Sequence, residues 1–566
     1  MNRSLRHPAG PAITSAVAAL IVYAVTLGGT FVYDDFDVFA ADARLRVPST
    51  WSRYWTESYN GGVDNLYRPL VSMTYAIQWL IHGDEAKWPY HAVNWILHAA
   101  VAALVAELTR RLIDLAPRPV IGEGLGEGPT KNAEPSLSRR PLILALSPST
   151  GRGDQSAAYV AGLLFAVHPI HVEAVANVVG RAELLCALGF LGALVIFAHR
   201  PLTTARVFAI FGCLALSILS KEQGMLLPPM LLAMALLTRQ ESNRAEHGDQ
   251  VHTPGATLSY ATRSTRRISR PALLLTILVC WSVAGYIVFR ESILKFSWDR
   301  GFLDWTINPL VRSVGVDRWF MPFVILGHYV ALLIAPIYLS PDYGSKVIGW
   351  TVRWNDPYLW IGIVSAFASV FAILTAWKRQ QRAVLFCLIG LLLTYGLISN
   401  FAILIGTNFG ERLMYLPSAF FLILVAIIAS RSRSLRIALT IVIVLFSVRT
   451  ITYAGRWNDR RSFYEYSIAH QPDSIRLRML LIAELQREKK LDEADRVAAD
   501  ARALLPEYDE IWIQSADLAS ARGEFDRAEE YLNRAMTIRP SNKAAGRLQQ
   551  LYEERAKAAT QPTSRR

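Results

Sequence analysis

Acidic residues cluster where a long apolar stretch ends, in Val32-Tyr33-Asp34-Asp35-Phe36-Asp37. Carboxylates at a membrane interface are costly unless they are solvated or used. The pair Asp34 and Asp35 therefore reads either as a catalytic base or metal ligand facing a cavity, or as a solvated helix end, with Asp37 the more readily solvated. A second polar group, His168-Pro169-Ile170-His171-Val172-Glu173, interrupts an apolar run and is followed by Asn177, Arg181 and Glu183. His168, His171 and Glu173 could ligate a metal by composition, but the spacing is not that of HExxH. Polar side chains this dense at membrane depth line a pathway or a site, and cavity lining is the reading carried forward. Ser220-Lys221-Glu222-Gln223-Gly224 breaks another apolar run. Its Lys221 and Glu222 either neutralise each other or offer a cation to a lipid phosphate. Asn408, Glu411 and Arg412 open a later run. A guanidinium grips phosphate through two parallel hydrogen bonds, and a dry site strengthens them. No GxxxxGK[ST], no GxGxxG and no GxSxG occurs, which argues against a soluble nucleotide-sugar site and an α/β-hydrolase.

The elements that must position these groups are apolar. Of 566 residues 52% are hydrophobic and 19% charged, with a mean hydropathy of +0.25. A soluble domain carries about a quarter charged residues, so the composition predicts an all-α polytopic membrane bundle with a soluble appendage. The four cysteines each lie in an apolar run, far apart in sequence, which excludes a disulfide framework or zinc ribbon. The net charge of +13 falls mainly between apolar runs, where membrane topology accounts for it without nucleic acid.

Apolar spans are predicted near 11–33, 91–112, 157–178, 182–198, 203–219, 223–238, 271–289, 320–339, 358–377, 383–405, 413–430 and 437–453. Segments 114–155 and 239–270 are rich in Lys or Arg and read as cytoplasmic loops, as do Lys378–Arg382 and Arg431–Arg436. With a cytoplasmic N-terminus and an uncleaved first span, these loops agree only if one apolar run fails to cross. The chosen run is 320–339, which holds His328, Tyr329 and Pro336 and reads as re-entrant, leaving about eleven crossings. By that count Asp34, Asp35, Arg181, Lys221, Glu222 and Arg412 share the outer face. Segment 34–90 reads as a folded first outer loop on the membrane, so residues 1–455 form the membrane domain.

Beyond Tyr453 the chain becomes charged and Ala-rich. Ala494, Ala501 and Pro506 recur 34 residues later as Ala528, Ala535 and Pro540. Together with Trp512, Ala516 and Gly523 this is the spacing of tetratricopeptide repeats. A short α-solenoid is predicted over 456–558, with a capping helix near Lys543–Ala558 and a disordered tail at 559–566.

In order along the chain, Tyr33-Asp34-Asp35, Tyr67-Arg68-Pro69-Leu70, His91-Ala92-Val93-Asn94-Trp95-Ile96-Leu97-His98, the His168–Glu173 segment, Gly180-Arg181-Ala182-Glu183, Ser220-Lys221-Glu222, Glu411-Arg412-Leu413-Met414-Tyr415-Leu416-Pro417-Ser418 and the repeats resemble the transmembrane and tetratricopeptide-repeat O-mannosyltransferases. The resemblance covers nearly the whole chain. It implies a C-type glycosyltransferase fold and transfer of mannose from a polyprenyl phosphate to protein Ser or Thr hydroxyls, on the periplasmic or lumenal side. It matches an acidic pair at Asp34 and Asp35, either of which is expected to be the base; on the residues themselves, Arg412 with Arg181 or Lys221 is expected on the donor phosphate, and a sugar or acceptor pocket is expected from His168, His171, Glu173, Glu183, Glu222, Arg68, His91, Asn408 and Glu411. No cofactor is required by this scheme, although a divalent metal is compatible with it. The short repeat array and the long 114–155 loop suggest a bacterial inner-membrane relative. Two rival readings are a glycosyltransferase acting on a lipid or cell-wall glycan, and a membrane-anchored repeat scaffold without catalysis.

Overall fold

The computed structural model describes residues 8–36, 42–59, 66–83, 86–114, 152–199, 201–237, 240–241, 266–267, 269–294, 304–344 and 346–560. Most of the 114–155 and 239–270 loops, Asp37 and the end of the 559–566 tail lie outside them. The described chain is helical apart from one two-residue antiparallel pair, Gln240–Glu241 with Arg266–Arg267.

Eight described helical stretches are long and apolar enough to cross a bilayer: Gly10–Gly28, Trp88–Asp114, Val178–Ala198, Arg270–Leu294, Gly315–Ile334, Pro357–Lys378, Glu411–Ala429 and Arg433–Arg456. Shorter apolar helices run over Thr204–Ile218, Glu222–Leu237 and Arg382–Ile398. The outward faces are greasy: Trp281 is 73% exposed and Phe367 74%. A surface this apolar has hydrocarbon as its solvent, and the chain is an integral membrane protein with an all-α helix bundle. The 320–339 run, expected to be re-entrant, forms the continuous Gly315–Ile334 helix, and its length and composition suffice to cross. Backbones meet closely where that helix packs on Pro357–Lys378. A Cβ on Gly327 would lie 1.8 Å from the Tyr358 carbonyl oxygen, and one on Gly362 1.8 Å from that of Phe323. Glycine at such a crossing lets two helices pack without intervening side chains.

The Arg152–Val167 helix and the Pro169–Ala176 segment meet at a bend of 48°. Pro169 lacks the N–H that would continue the ladder, and His168 before it is extended (φ −69°, ψ 124°). The Val178–Ala198 helix follows and is the most enclosed span, with 89% of its apolar window buried. Over its described residues, segment 34–90 is folded. It holds short 3-10 helices at Ala43–Arg46 and Pro48–Trp55 and an α-helix at Pro69–His82. Its own core contains Phe31, Leu45, Tyr54, Tyr59, Val71, Tyr75 and Tyr90.

After Arg456 six helices follow: Arg460–His470, Ile475–Arg487, Leu491–Leu504, Asp509–Ala521, Phe525–Ile538 and Asn542–Thr560, each packed on the next. The pair starting at Ile475 and Leu491 is repeated at Asp509 and Phe525, which is the 34-residue step of the sequence. Ala494, Ala498, Ala501, Ala528 and Ala535 are buried between helices, where small side chains allow close packing. Packing does not break at the membrane boundary. Trp457, Phe463, Tyr464, Ile475 and Leu477 belong to the same buried core as Val32, Tyr33 and Tyr453.

Candidate active site

The first span ends in a one-turn helix at Ala24–Gly28, and the chain then runs on to Tyr33, whose φ is +55°. That left-handed conformation costs a residue with a Cβ about 1–2 kcal/mol. It is held by the C-terminal stack: the Tyr33 N–H donates to the Tyr464 hydroxyl at 3.2 Å, and the Arg476 guanidinium lies 4.5 Å above the Tyr33 ring. The turn throws the next two carboxylates in different directions.

Asp34 faces cations. Its Oδ2 accepts from Arg412 Nη1 at 2.6 Å and its Oδ1 from Arg476 Nη2 at 2.8 Å. Glu173 closes the group, accepting from the Arg412 backbone N–H at 2.9 Å and lying 3.5 Å from Arg412 Nη1. The Asp34 side chain is 9% exposed, those of Arg412 and Arg476 24% and 29%, so the cluster is partly open on its cationic side. Burial pushes the Asp34 carboxyl up, but Arg412 and Arg476 outweigh it and hold the group below the ordinary carboxylate range.

Asp35 faces backbone. It is fully buried, and its carboxylate accepts from the N–H of Val179 at 2.9 Å and of Val32 at 3.3 Å. Burial raises this carboxyl to about 7, against the lowering effect of those amides. Asp35 thus fastens the end of the first span to the tight Val178–Gly180 turn. That turn requires glycine, because a Cβ on Gly180 would sit 2.1 Å from the Ala174 carbonyl oxygen.

Arg181 secures the other side of the same turn. It is fully buried and donates to Asn94 Oδ1 at 3.1 Å, Thr74 Oγ1 at 3.2 Å and the Tyr90 carbonyl at 3.0 Å, with its guanidinium 4.7 Å above the Tyr75 ring. Lys221 is paired with Glu183, both buried. Arg68 donates to Glu222 at 3.1 Å and lies over Tyr59. Two charge groups therefore form: Asp34, Arg412 and Glu173 come together, while Lys221, Glu183, Arg68 and Glu222 pair among themselves. Neither Arg181 nor Lys221 contacts Arg412.

His168 and His171 are packed into the bundle. His168 joins the Leu333 carbonyl at 3.1 Å and accepts from the Ile170 N–H at 3.2 Å. His171 joins the Phe165 carbonyl at 2.9 Å and Ser418 at 2.8 Å. His91 is buried beside Phe31 and Gly29. Glu411 and Asn408 organise the segment after the Gly315–Ile334 helix. Glu411 accepts from the Ser340 N–H at 2.6 Å and the Tyr343 hydroxyl at 2.8 Å, and Asn408 donates to the Tyr343 carbonyl at 2.9 Å. Among the described residues no three His, Cys, Asp or Glu gather as ligands of one ion.

Sequence reasoning missed three contributors: Arg476, Tyr33 and Asp342, the last accepting from the Ser474 hydroxyl at 2.5 Å. Ser340 and Asp342 could have been noticed as polar residues following an apolar run. Arg476 carried no signal, since it sits among other arginines of a charged repeat region.

Chemically, the site offers one carboxylate held between two guanidinia, just beyond the end of a membrane-capable helix. It can bind an anionic group and accept a proton beside it.

Comparison with known proteins finds named relatives. The chain is 25% identical over 512 residues to the protein O-mannosyl-transferase F38B6.6 of Caenorhabditis elegans, covering 87% of this chain and 62% of that protein. It is 25% identical over 524 residues to protein O-mannosyl-transferase Tmtc3 of Drosophila melanogaster, 84% of this chain and 53% of the relative. It is 25% identical over 491 residues to human protein O-mannosyl-transferase TMTC4, 80% of this chain and 61% of the relative. The chain thus spans between about half and two thirds of the length of these relatives. No protein-family description and no solved structure matches it. Over most of its length the chain is thus similar to proteins named protein O-mannosyl-transferases.

Proposed function

We propose, from its homology to the protein O-mannosyltransferases, that this chain is a membrane glycosyltransferase moving a sugar, mannose by analogy with its relatives, from a polyprenyl-phosphate donor to Ser or Thr hydroxyls of proteins on the outer side of the membrane. The observation that carries the reading is the Asp34 carboxylate buried against Arg412, where one span has ended and another begins. A scaffold needs no such group at membrane depth. Transfer from a lipid phosphate needs both a base and a cation.

The acceptor oxygen attacks the anomeric carbon and the new C–O bond forms there. The bond from that carbon to the phosphate oxygen breaks, and its electron pair leaves with the polyprenyl phosphate. The hydroxyl proton passes to Asp34, which is better placed than Asp35, whose carboxylate is committed to backbone amides. One displacement inverts the anomeric centre. A single base suffices, in contrast to a glycosidase's carboxylate pair. Arg412 offsets the charge that grows on the leaving phosphate. Glu173 orients Arg412 through its backbone and side chain. Glu411 and Asn408 fix the neighbouring segment, and the helical stack offers a surface for an extended acceptor.

The test is kinetic, on the purified full chain with polyprenyl-phosphate mannose and a Ser/Thr peptide. Asp34→Asn should lower kcat by about 10²–10⁴-fold, the usual contribution of a general base. Arg412→Gln should lower kcat/KM for the donor by a similar factor. Wild-type rates in both variants would refute the assignment.

A further inference from the structure

Arg476 lies outside the spans, on the Ile475–Arg487 helix of the C-terminal stack, and the chemistry above does not call on it. Its position is nevertheless that of a site residue. Arg412 holds one oxygen of Asp34 at 2.6 Å and Arg476 holds the other at 2.8 Å. Two guanidinia bridged by two oxygens of one small anion is an arrangement that two oxygens of a phosphate reproduce.

The helix carrying Arg476 is fixed to the membrane domain rather than tethered to it. Ser474 caps it, accepting from the Leu477 N–H at 3.1 Å, while its hydroxyl donates to Asp342 at 2.5 Å. Arg460 Nε donates to the Phe31 carbonyl at 2.7 Å. Tyr464 holds the left-handed Tyr33 just before Asp34. Ile475 and Leu477 are buried in the core shared with the spans. A stack serving only to capture acceptors would need none of these contacts around one carboxylate.

We propose that Arg476 is a second phosphate-binding residue of the transfer site, and that the donor phosphate competes with the Asp34 carboxylate for Arg476 and Arg412. Binding of the phosphate then releases the carboxylate from both cations, so the base is freed only when the donor is in place. The first hairpin of the stack is accordingly part of the donor site. This inference rests on the glycosyltransferase reading.

The test is equilibrium binding of a radiolabelled polyprenyl phosphate to the purified full chain in detergent, with thermal melting measured for every variant. Arg476→Gln should weaken binding about 10–100-fold, as loss of a charge-assisted contact does. Asp34→Asn should tighten binding several-fold by removing the competing anion, and that gain should shrink in the double variant with Arg476→Gln, where only Arg412 remains to be freed. A purely structural Arg476 would leave the Asp34→Asn gain intact, and that result overturns the proposal, as does wild-type affinity in a folded Arg476→Gln. If Arg476→Gln does not fold, Arg476→Lys decides: about 3–10-fold weaker binding is expected, and wild-type affinity overturns the proposal. Binding absent from the wild type itself would instead remove the glycosyltransferase reading, and this inference with it.

Discussion

Asp34 and Asp35 are chain neighbours with opposite surroundings. Arg412 and Arg476 hold the Asp34 carboxyl below the ordinary carboxylate range against the opposing effect of burial, whereas burial lifts Asp35 to about 7. This separates them experimentally. With Asp34 as the base, the acidic limb of kcat/KM, which reports the free enzyme, should lie below the ordinary carboxylate range. The limb of kcat should lie at higher pH, because a phosphate beside Asp34 disfavours its ionised form. A kcat/KM limb near 7 would contradict Asp34 as the titrating group. Much of this site was legible from residue type alone. Asp34, Glu173 and Arg412 are charges in apolar surroundings, and that contradiction marks them in any sequence. Arg476 is a charge in charged surroundings, so only the fold could single it out.

At the scale of elements, the bend at His168-Pro169 and the turn at Val178–Gly180 set the geometry. Gly180→Ala places a Cβ 2.1 Å from the Ala174 carbonyl oxygen, so turn or helix must shift. The melting temperature in detergent should fall by several degrees, and transfer should fall further, because Asp35 is anchored at Val179. An unchanged melting curve would show that the turn yields without cost. The sequence located the apolar runs well because hydrophobicity decides burial in lipid as in water. It located their ends less well. The run expected at 11–33 stops being α-helical at Tyr23, and that expected at 223–238 begins with a 3-10 turn at Glu222–Leu226. Local backbone geometry of this kind leaves little trace in hydropathy. The function of Arg181 was also obscured, since a buried guanidinium satisfied by Asn94, Thr74 and Tyr90 looks in sequence like one awaiting an anion.

For the whole molecule, the notable feature is a repeat stack whose helices as far as Leu518 share the core of the membrane domain, while Ile513, Ala516, Ala528, Leu532, Ala535 and Ala544 form a core of their own. The 34-residue period revealed the stack but not where it docks, because repeat spacing encodes contacts between neighbouring repeats only. The two halves of the stack should separate by function. Ending the chain before Asp509 should preserve transfer to a short peptide and reduce it for a long polypeptide acceptor. Equal loss for both acceptors would show that the outer helices support the site itself. The central claim is tested most directly by supplying radiolabelled polyprenyl-phosphate mannose to membranes that contain either the wild-type chain or Asp34→Asn. Label attached to protein Ser or Thr in the wild type and missing with Asp34→Asn is the result expected. Label confined to lipid or glycan, or protein labelled equally by both chains, would contradict it.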